Sequence, residues 1–333
     1  MHAIRSSVVV VCALALLAGS ARAEQPFELS KDRKVLAPVT YRNLTLMPIV
    51  QTSRTVQPAY IVLDEGMKSG VVKVIEKNAD GEVNELELRN GSSQPLFLMA
   101  GEVIIGGKQD RIIGKDTIIP PRTTEVVGVF CVEHGRWSGR KASFESAGAL
   151  AHTALRKKAK YAAQKEVWDE VKDKNQKRKL DNATDTYRQV AQSSAQNSGS
   201  LAGYSKHFEQ ALAKSPQRDQ VVGFVVAVNG KVAAIETFGS PELYRKLSSK
   251  LLRSYYAEAI DVPVDGKAPK PGARDVQTFV TKARAARAKQ QTVRDNAAAE
   301  TVNFDSAEVT GSSVRSKSAP AAAEAAYESV YAN

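Results

Sequence analysis

The chain has 333 residues, 43% of them hydrophobic, with 47 Lys and Arg against 36 Asp and Glu. That is enough for one large domain or two small ones around a real core, and two cysteines, one of them in the leader described next, exclude an intramolecular disulfide in the mature chain. The basic balance suits anionic lipids, envelope polymers or phosphorylated ligands, although net charge alone speaks first to solubility.

Arg5 precedes an uncharged run, VVVVCALALL (residues 8–17), and Ala21-Arg22-Ala23 is a small-x-small cleavage site. This pattern predicts a secretory signal peptide over residues 1–23, cut after Ala23. The apolar run is too short to span a bilayer, and no later stretch is long enough to do so. Cys12 lies inside the run rather than after a small-residue box, which argues against lipid anchoring. Cleavage leaves 45 basic and 36 acidic residues, a net +9. The mature protein is expected in a bacterial periplasm.

Residues 24–38 are polar without a period and read as an N-terminal arm. Strand patterns follow: VTYRNLTLMPIVQ alternates, AYIVLDEGMKSGVVKVIEK reads as strand, short helical turn and strand, and VNELELRNGSSQPLFLMAGEVII reads as two strands around Asn90-Gly91-Ser92. The pairs Ile104-Ile105, Ile112-Ile113 and Ile118-Ile119 mark successive short strands, and TEVVGVFCVE is a last strong one. Spacing of about ten residues suggests an antiparallel β-sandwich or barrel-like unit over residues 39–135.

Near Ser143 the composition turns to Ala, Lys, Glu and Leu, good helix formers. Leu155, Ala159 and Ala162 share one helical face, as do Trp168 and Val171. NATDTYRQVAQ begins another helix, SAQNSGS is a flexible break, and LAGYSKHFEQALAKS is helical again. In QVVGFVVAVNGKVAAIETFG, two β-branched runs flank Asn229-Gly230, the preferred two-residue hairpin turn. Ser240 then caps a helix with Pro241 at its first position. A Pro/Gly-rich linker (residues 261–274), a helix near residues 275–289 and a short strand in ETVNFDSAEV complete a single α+β domain over residues 39–309. Its residues 140–309 are helical with a packed β-hairpin. The Ala/Ser-rich stretch 310–333 is expected to be a disordered tail.

The candidate site starts at GEVIIGGKQDRII. Gly106-Gly107 permits a sharp turn or close approach to a ligand. Lys108 and Arg111 suit an anion, Arg111 bidentately, and Gln109 suits a polar ligand edge. Glu102 and Asp110 are acid or base candidates. The block lacks the spacing and hydroxyl of a Walker motif, and no dinucleotide fingerprint is present. On residue types alone, a solvated glycine turn is the favoured reading. In CVEHGRW, Glu133, Arg136 and Trp137 stand where a strand gives way to a loop, and Arg136 with Trp137 suits an anionic ring. Cys131 with His134 as base is a nucleophile candidate, against the plainer reading of Cys131 as a small buried hydrophobe. His134, His152 and His207 have no ligand-like spacing, so no metal is expected, and no serine-nucleophile elbow exists. The basic stretch 156–179 lacks interleaved aromatics, so no nucleic acid is expected.

Four blocks, GEVIIGGKQDRII, CVEHGRW, EVWDEV and KLLRSYYAEAI, stand in one order. Together they resemble the signature blocks of the ADP-ribosylglycohydrolase- and rhodanese-phosphatase-superfamily-associated proteins, a domain family of unknown function. The resemblance covers roughly residues 39–259 and, more weakly, extends to 309. It implies a genomic association with enzymes acting on ADP-ribose and phosphate esters; no cofactor is expected. It also weighs the two polar blocks toward a shared site lined by Glu102, Lys108, Gln109, Arg111, Glu133, Arg136 and Trp137. Three functions stand open: binding of a small anionic, phosphorylated or nucleotide-like ligand; a hydrolase or transferase with Glu102 or Glu133 as general base; and a non-catalytic scaffold that meets anionic envelope components.

Overall fold

The structure is a computed structural model that describes residues 26–53, 56–137, 143–320, 323 and 325–333. The signal-peptide pattern lies outside them. Strands β1 (Phe27–Ser30), β2 (Arg33–Val35), β3 (Val39–Tyr41) and β4 (Leu44–Gln51) come first, then β5 (Ile61–Val62) and the short helix α1 (Leu63–Lys68). Next come β6 (Val72–Glu76), β7 (Glu85–Asn90), β8 (Leu96–Leu98), β9 (Glu102–Gly106), β10 (Arg111–Ile113), β11 (Thr117–Ile119), β12 (Thr123–Cys131) and β13 (Phe144–Leu150). Helices α2 (Thr153–Tyr161), α3 (Gln164–Lys177), α4 (Arg188–Ala195) and α5 (Leu201–Ala213) precede the hairpin of β14 (Val221–Val228) and β15 (Lys231–Phe238). Helices α6 (Pro241–Ala259) and α7 (Ala273–Arg287) lead into β16 (Gln291–Asp295), β17 (Ala299–Asp305), β18 (Val309–Ser316) and β19 (Tyr327–Ala332).

The fold is α+β. A ten-stranded sheet runs in the order β1-β2-β4-β14-β15-β19-β18-β17-β16, with β3 beside β4. Its β14–β15 hairpin turns at Asn229 and Gly230, with φ of 45° and 75°. A six-stranded sheet, β13-β9-β10-β12-β7-β6, curls into a half-barrel whose edges meet at one bridge, Ile75↔Ser143. A small sheet, β11-β8-β5, joins the two. Helix α6 starts as its sequence predicts: the Ser240 hydroxyl accepts from Leu243 N at 3.2 Å, with Pro241 at the first turn.

The paired isoleucines have a structural explanation. Successive strand residues point to opposite faces, so each pair serves two cores. Ile104, Ile113 and Ile119 fill the half-barrel, with Leu86, Leu88, Val127 and Val129. Ile112 packs outward with Leu155, Ala159 and Val167 of the helical layer, and Ile118 joins the core under the large sheet. The expected long helical segment after residue 148 divides differently: Ala149 and Leu150 end β13, and the helices are α2 and α3. Val167 and Val171, rather than Trp168, point into the core.

Two expectations need correction. The stretch 24–38 is no free arm where it is described: β1 and β2 form a hairpin on β4, with Val35 fully buried. The stretch 310–333 is no disordered tail where it is described: β18 and β19 lie inside the large sheet, β19 between β15 and β18. Its serines mimic low complexity because both faces of these strands are covered. Ser312 and Ser329 are buried and accept from the Lys160 ammonium at 3.0 and 2.7 Å, and Lys160 also pairs with buried Asp116. Tyr327 bonds Glu236, which holds the Arg156 guanidinium in a buried two-pronged pair, Nη1 to Oε1 at 3.0 Å and Nη2 to Oε2 at 2.5 Å. These contacts bind helix α2 to the sheet.

Candidate functional site

The end of β9, the start of β10, the ends of β12 and β6 and the start of β13 meet at one mouth of the half-barrel. Inward positions recur every second residue along a strand. Glu76 follows Val74 on the inward face, Cys131 follows Val129, and Arg111 precedes Ile113. Three polar groups therefore stand at the mouth of an otherwise apolar interior. Arg111 and Cys131 are direct cross-strand neighbours.

The GGKQD segment makes the turn at this mouth. Gly106 and Gly107 have φ of 123° and 49°. A Cβ on Gly107 would stand 2.3 Å from Phe144 Cζ and 2.6 Å from Glu76 Oε1, so only glycine fits. The Lys108 amide donates to Glu76 Oε1 at 2.8 Å. Gln109 is buried, and its Oε1 accepts from Arg111 Nη1 at 3.3 Å. Arg111 is 0% exposed. Its Nε and Nη2, and Glu76 Oε2, are buried and make no hydrogen bond within the protein. Trp137, 45% exposed, lies against the guanidinium with its ring centroid 5.6 Å from Cζ, and Lys108 Nζ is 5.8 Å from the same ring. Burial pushes the Arg111 pKa below the usual guanidinium value, and Cys131 and Glu76 oppose that shift.

The CVEHGRW block meets this turn through a polar brace. Glu133 Oε2 accepts from the Asp110 amide at 3.0 Å and from Arg136 Nη2 at 2.6 Å, while Oε1 accepts from the Thr184 hydroxyl at 2.9 Å. Arg136 Nη1 donates to Gly107 O at 2.9 Å. Asp110, fully buried, takes two bonds from Arg188 at 2.7 and 2.9 Å, one from Thr186 at 3.0 Å and one from the Gly106 amide at 3.0 Å. The brace fixes the turn that carries Arg111.

The structure brings together Gly106, Gly107, Lys108, Gln109, Arg111, Glu133, Arg136 and Trp137. Glu102 stands apart, at the opposite end of β9, about 13 Å from Gly106 at the ~3.3 Å rise of a strand. Its carboxylate is buried against Lys250, which also holds Asp64 at 2.9 Å. Burial raises the Glu102 pKa, against the pull of Lys250. Burial would also lower Lys250, yet Glu102 and Asp64 hold it above the usual ammonium value. Asp64, bonded to Ser146 at 2.5 Å, borders a cavity of about 660 Å³ lined by Met67, Val72, Val74 and Phe144. Glu102 and Glu133 share no bonding partner and do not form a pair across one pocket.

Cys131 and His134 are not a dyad. The His134 ring packs edge-on against Trp168 at 4.5 Å, while the Cys131 thiol points inward and is pushed up to about 11 by burial. Gln164 fixes the Cys131 backbone through two bonds of 2.9 Å. Among the described residues, no cluster of His, Cys, Asp or Glu could hold a metal, and no helix is long and apolar enough to cross a membrane.

Sequence reading missed Glu76, Thr184, Thr186 and Arg188. Glu76 carried a signal: it is the acid that breaks an inward apolar alternation, Val72, Val74, Glu76. The TDTYR stretch carried none, because its partners lie more than fifty residues away.

Residues 32–326 match the ARPP-1 family model, the ARG and Rhodanese-Phosphatase-superfamily-associated Protein domain. The chain belongs to that family, whose function is uncharacterised. Neither the curated proteins nor the solved structures include a match to it.

Proposed function

We propose that this member of the ARPP-1 family is an exported, periplasmic binding domain for a small anionic ligand, phosphorylated or nucleotide-like, held at the mouth of the half-barrel. One observation carries the reading: the fully buried guanidinium of Arg111 has two donors that bond nothing in the protein, beneath a half-exposed indole. Buried polar groups are normally satisfied, and an unsatisfied buried cation calls for an anionic partner from outside the chain. Barrel mouths are common ligand sites. The Asp110–Glu133–Arg136–Arg188 brace supports it, because a clamp needs a rigid second layer. Glu133 acts as part of this brace; with both oxygens already bonded, it is a poor general base.

A thermal-shift screen of inorganic phosphate, nucleotides, ADP-ribose and sugar phosphates tests the reading. A ligand at a hundred times its Kd adds about 2.7 kcal/mol, a clear shift. The reading loses its support if none of them raises the midpoint in the wild type, or if one does so equally in Arg111→Lys.

A further inference from the structure

The two unbonded nitrogens of Arg111 are not an arbitrary pair. Nε–H and one Nη2–H lie parallel along one edge of the guanidinium, the fork that takes two oxygens of a carboxylate or phosphate at once. Nη1, on the other edge, is turned to Gln109. The free edge is therefore the bidentate one.

An acceptor faces the same mouth. Glu76 Oε1 is fixed by the Lys108 amide, three residues before Arg111, and Oε2 is buried with no donor. Glu76 and Arg111 attract one another but form no ion pair. Opposite charges at one mouth, each with unused bonding capacity, offer two matched partners to a group that carries both an acceptor and a donor.

We infer that the ligand of this site is an oxyanion, carboxylate or phosphate, that carries a hydrogen-bond donor beside it: the oxyanion sits on the Nε/Nη2 fork of Arg111, and the donor bonds Glu76 Oε2. This rests on the binding reading above and narrows it. A bare anion satisfies the fork and leaves Glu76 Oε2 unbonded. An anion with a neighbouring ammonium, amide or hydroxyl satisfies both. Trp137, half-exposed beside the guanidinium, supplies an aromatic face for the body of the ligand.

The test uses the full chain and two matched probe pairs, acetate with glycine and methyl phosphate with phosphoethanolamine, measured by calorimetric titration. Each pair adds a donor to the same oxyanion, and comparing the pairs shows which oxyanion is preferred. The donor-bearing member of the preferred pair is expected to bind about tenfold tighter or better, as a charge-assisted bond implies. Glu76→Gln keeps an oxygen for the Lys108 amide and places an NH₂ where Oε2 was. It is expected to erase or reverse the preference. Arg111→Lys keeps the charge but loses the fork, so it is expected to weaken both members of the pair by about tenfold and leave their ratio unchanged. Equal affinity within both pairs in the wild type overturns the inference and leaves the binding reading standing. The inference also fails if Glu76→Gln leaves the preference intact. Failure of all four probes to bind sinks the binding reading, and this inference with it.

Discussion

Two buried arginines in this protein are expected to respond with opposite signs to the same substitution. Arg156 is paired on two prongs with buried Glu236 and donates to Tyr327. Arg156→Met leaves the Glu236 carboxylate buried without its counter-charge, a change that costs about 3–5 kcal/mol. Arg111 is equally buried, but Nε and Nη2 bond nothing. Each unsatisfied buried donor costs about 1–3 kcal/mol, so Arg111→Met relieves roughly 2–6 kcal/mol. Against this stand the long 3.3 Å bond to Gln109, about 1 kcal/mol, and the contact with Trp137, about 0.5–2 kcal/mol. Nearby carboxylates keep other partners: Glu76 has the Lys108 amide, and Asp110 has Arg188. At their midpoints these terms leave a net gain of about 2 kcal/mol. For a chain of this size that raises the melting midpoint by roughly 3 °C. Urea unfolding followed by circular dichroism, with thermal scans beside it, measures both variants. Arg111→Met should be more stable than wild type yet lose anion binding, the trade expected of a binding residue. If Arg111→Met instead loses more than about 1 kcal/mol, Arg111 is a structural residue and the binding reading falls. Combining the substitution with Glu76→Gln separates any penalty that arises from Glu76 alone.

Deleting residues 327–333 removes β19 from between β15 and β18, together with buried Tyr327, Ser329 and Tyr331; the loss is expected to rival the whole stability of a domain, about 5–15 kcal/mol, and a cooperative unfolding transition in the truncated chain would refute it. Glu170 is bonded to His152 at 3.0 Å and to Lys158 at 2.6 Å, which lowers its pKa from 4.5 to about 2 despite burial. A depressed carboxylate stabilises above its unfolded pKa, so this contribution is complete above about pH 4.5 and disappears as the pH falls toward 2; stability measured across that window should fall less steeply in Glu170→Gln, and identical slopes would count against the pairing. Ser240→Ala removes the hydroxyl that accepts from Leu243 N and is expected to cost about 1 kcal/mol, readable in urea. Gly107→Ala puts a Cβ against Phe144 and Glu76 at a φ of 49°; loss of ligand-induced stabilisation is expected, and unchanged binding would show that the turn is not part of the site.

Features written by neighbours in the chain were legible in the sequence. The Asn229-Gly230 turn, the Ser240-Pro241 helix start, the alternating strands of the β-rich part and the glycine turn at residues 106–107 rest on backbone angles and short-range bonds. The α+β class followed from them, as did the two polar blocks that mark the candidate site. The position and partners of those blocks depended on distant chain. That Glu133 braces while Glu102 stands apart with Lys250 was set by which end of β9 each meets. The strands at 309–316 and 327–332 went unread because serine and alanine show no pattern by themselves. Their burial is settled by Lys160 and Asp116, between 152 and 196 residues away. Sequence alone determined that Arg111 was a cation beside a glycine turn. Only the closing of the half-barrel decided that it would face inward beside Glu76 with one edge unbonded, because hydrogen-bond satisfaction belongs to the packed surroundings of a side chain and not to its place in the chain.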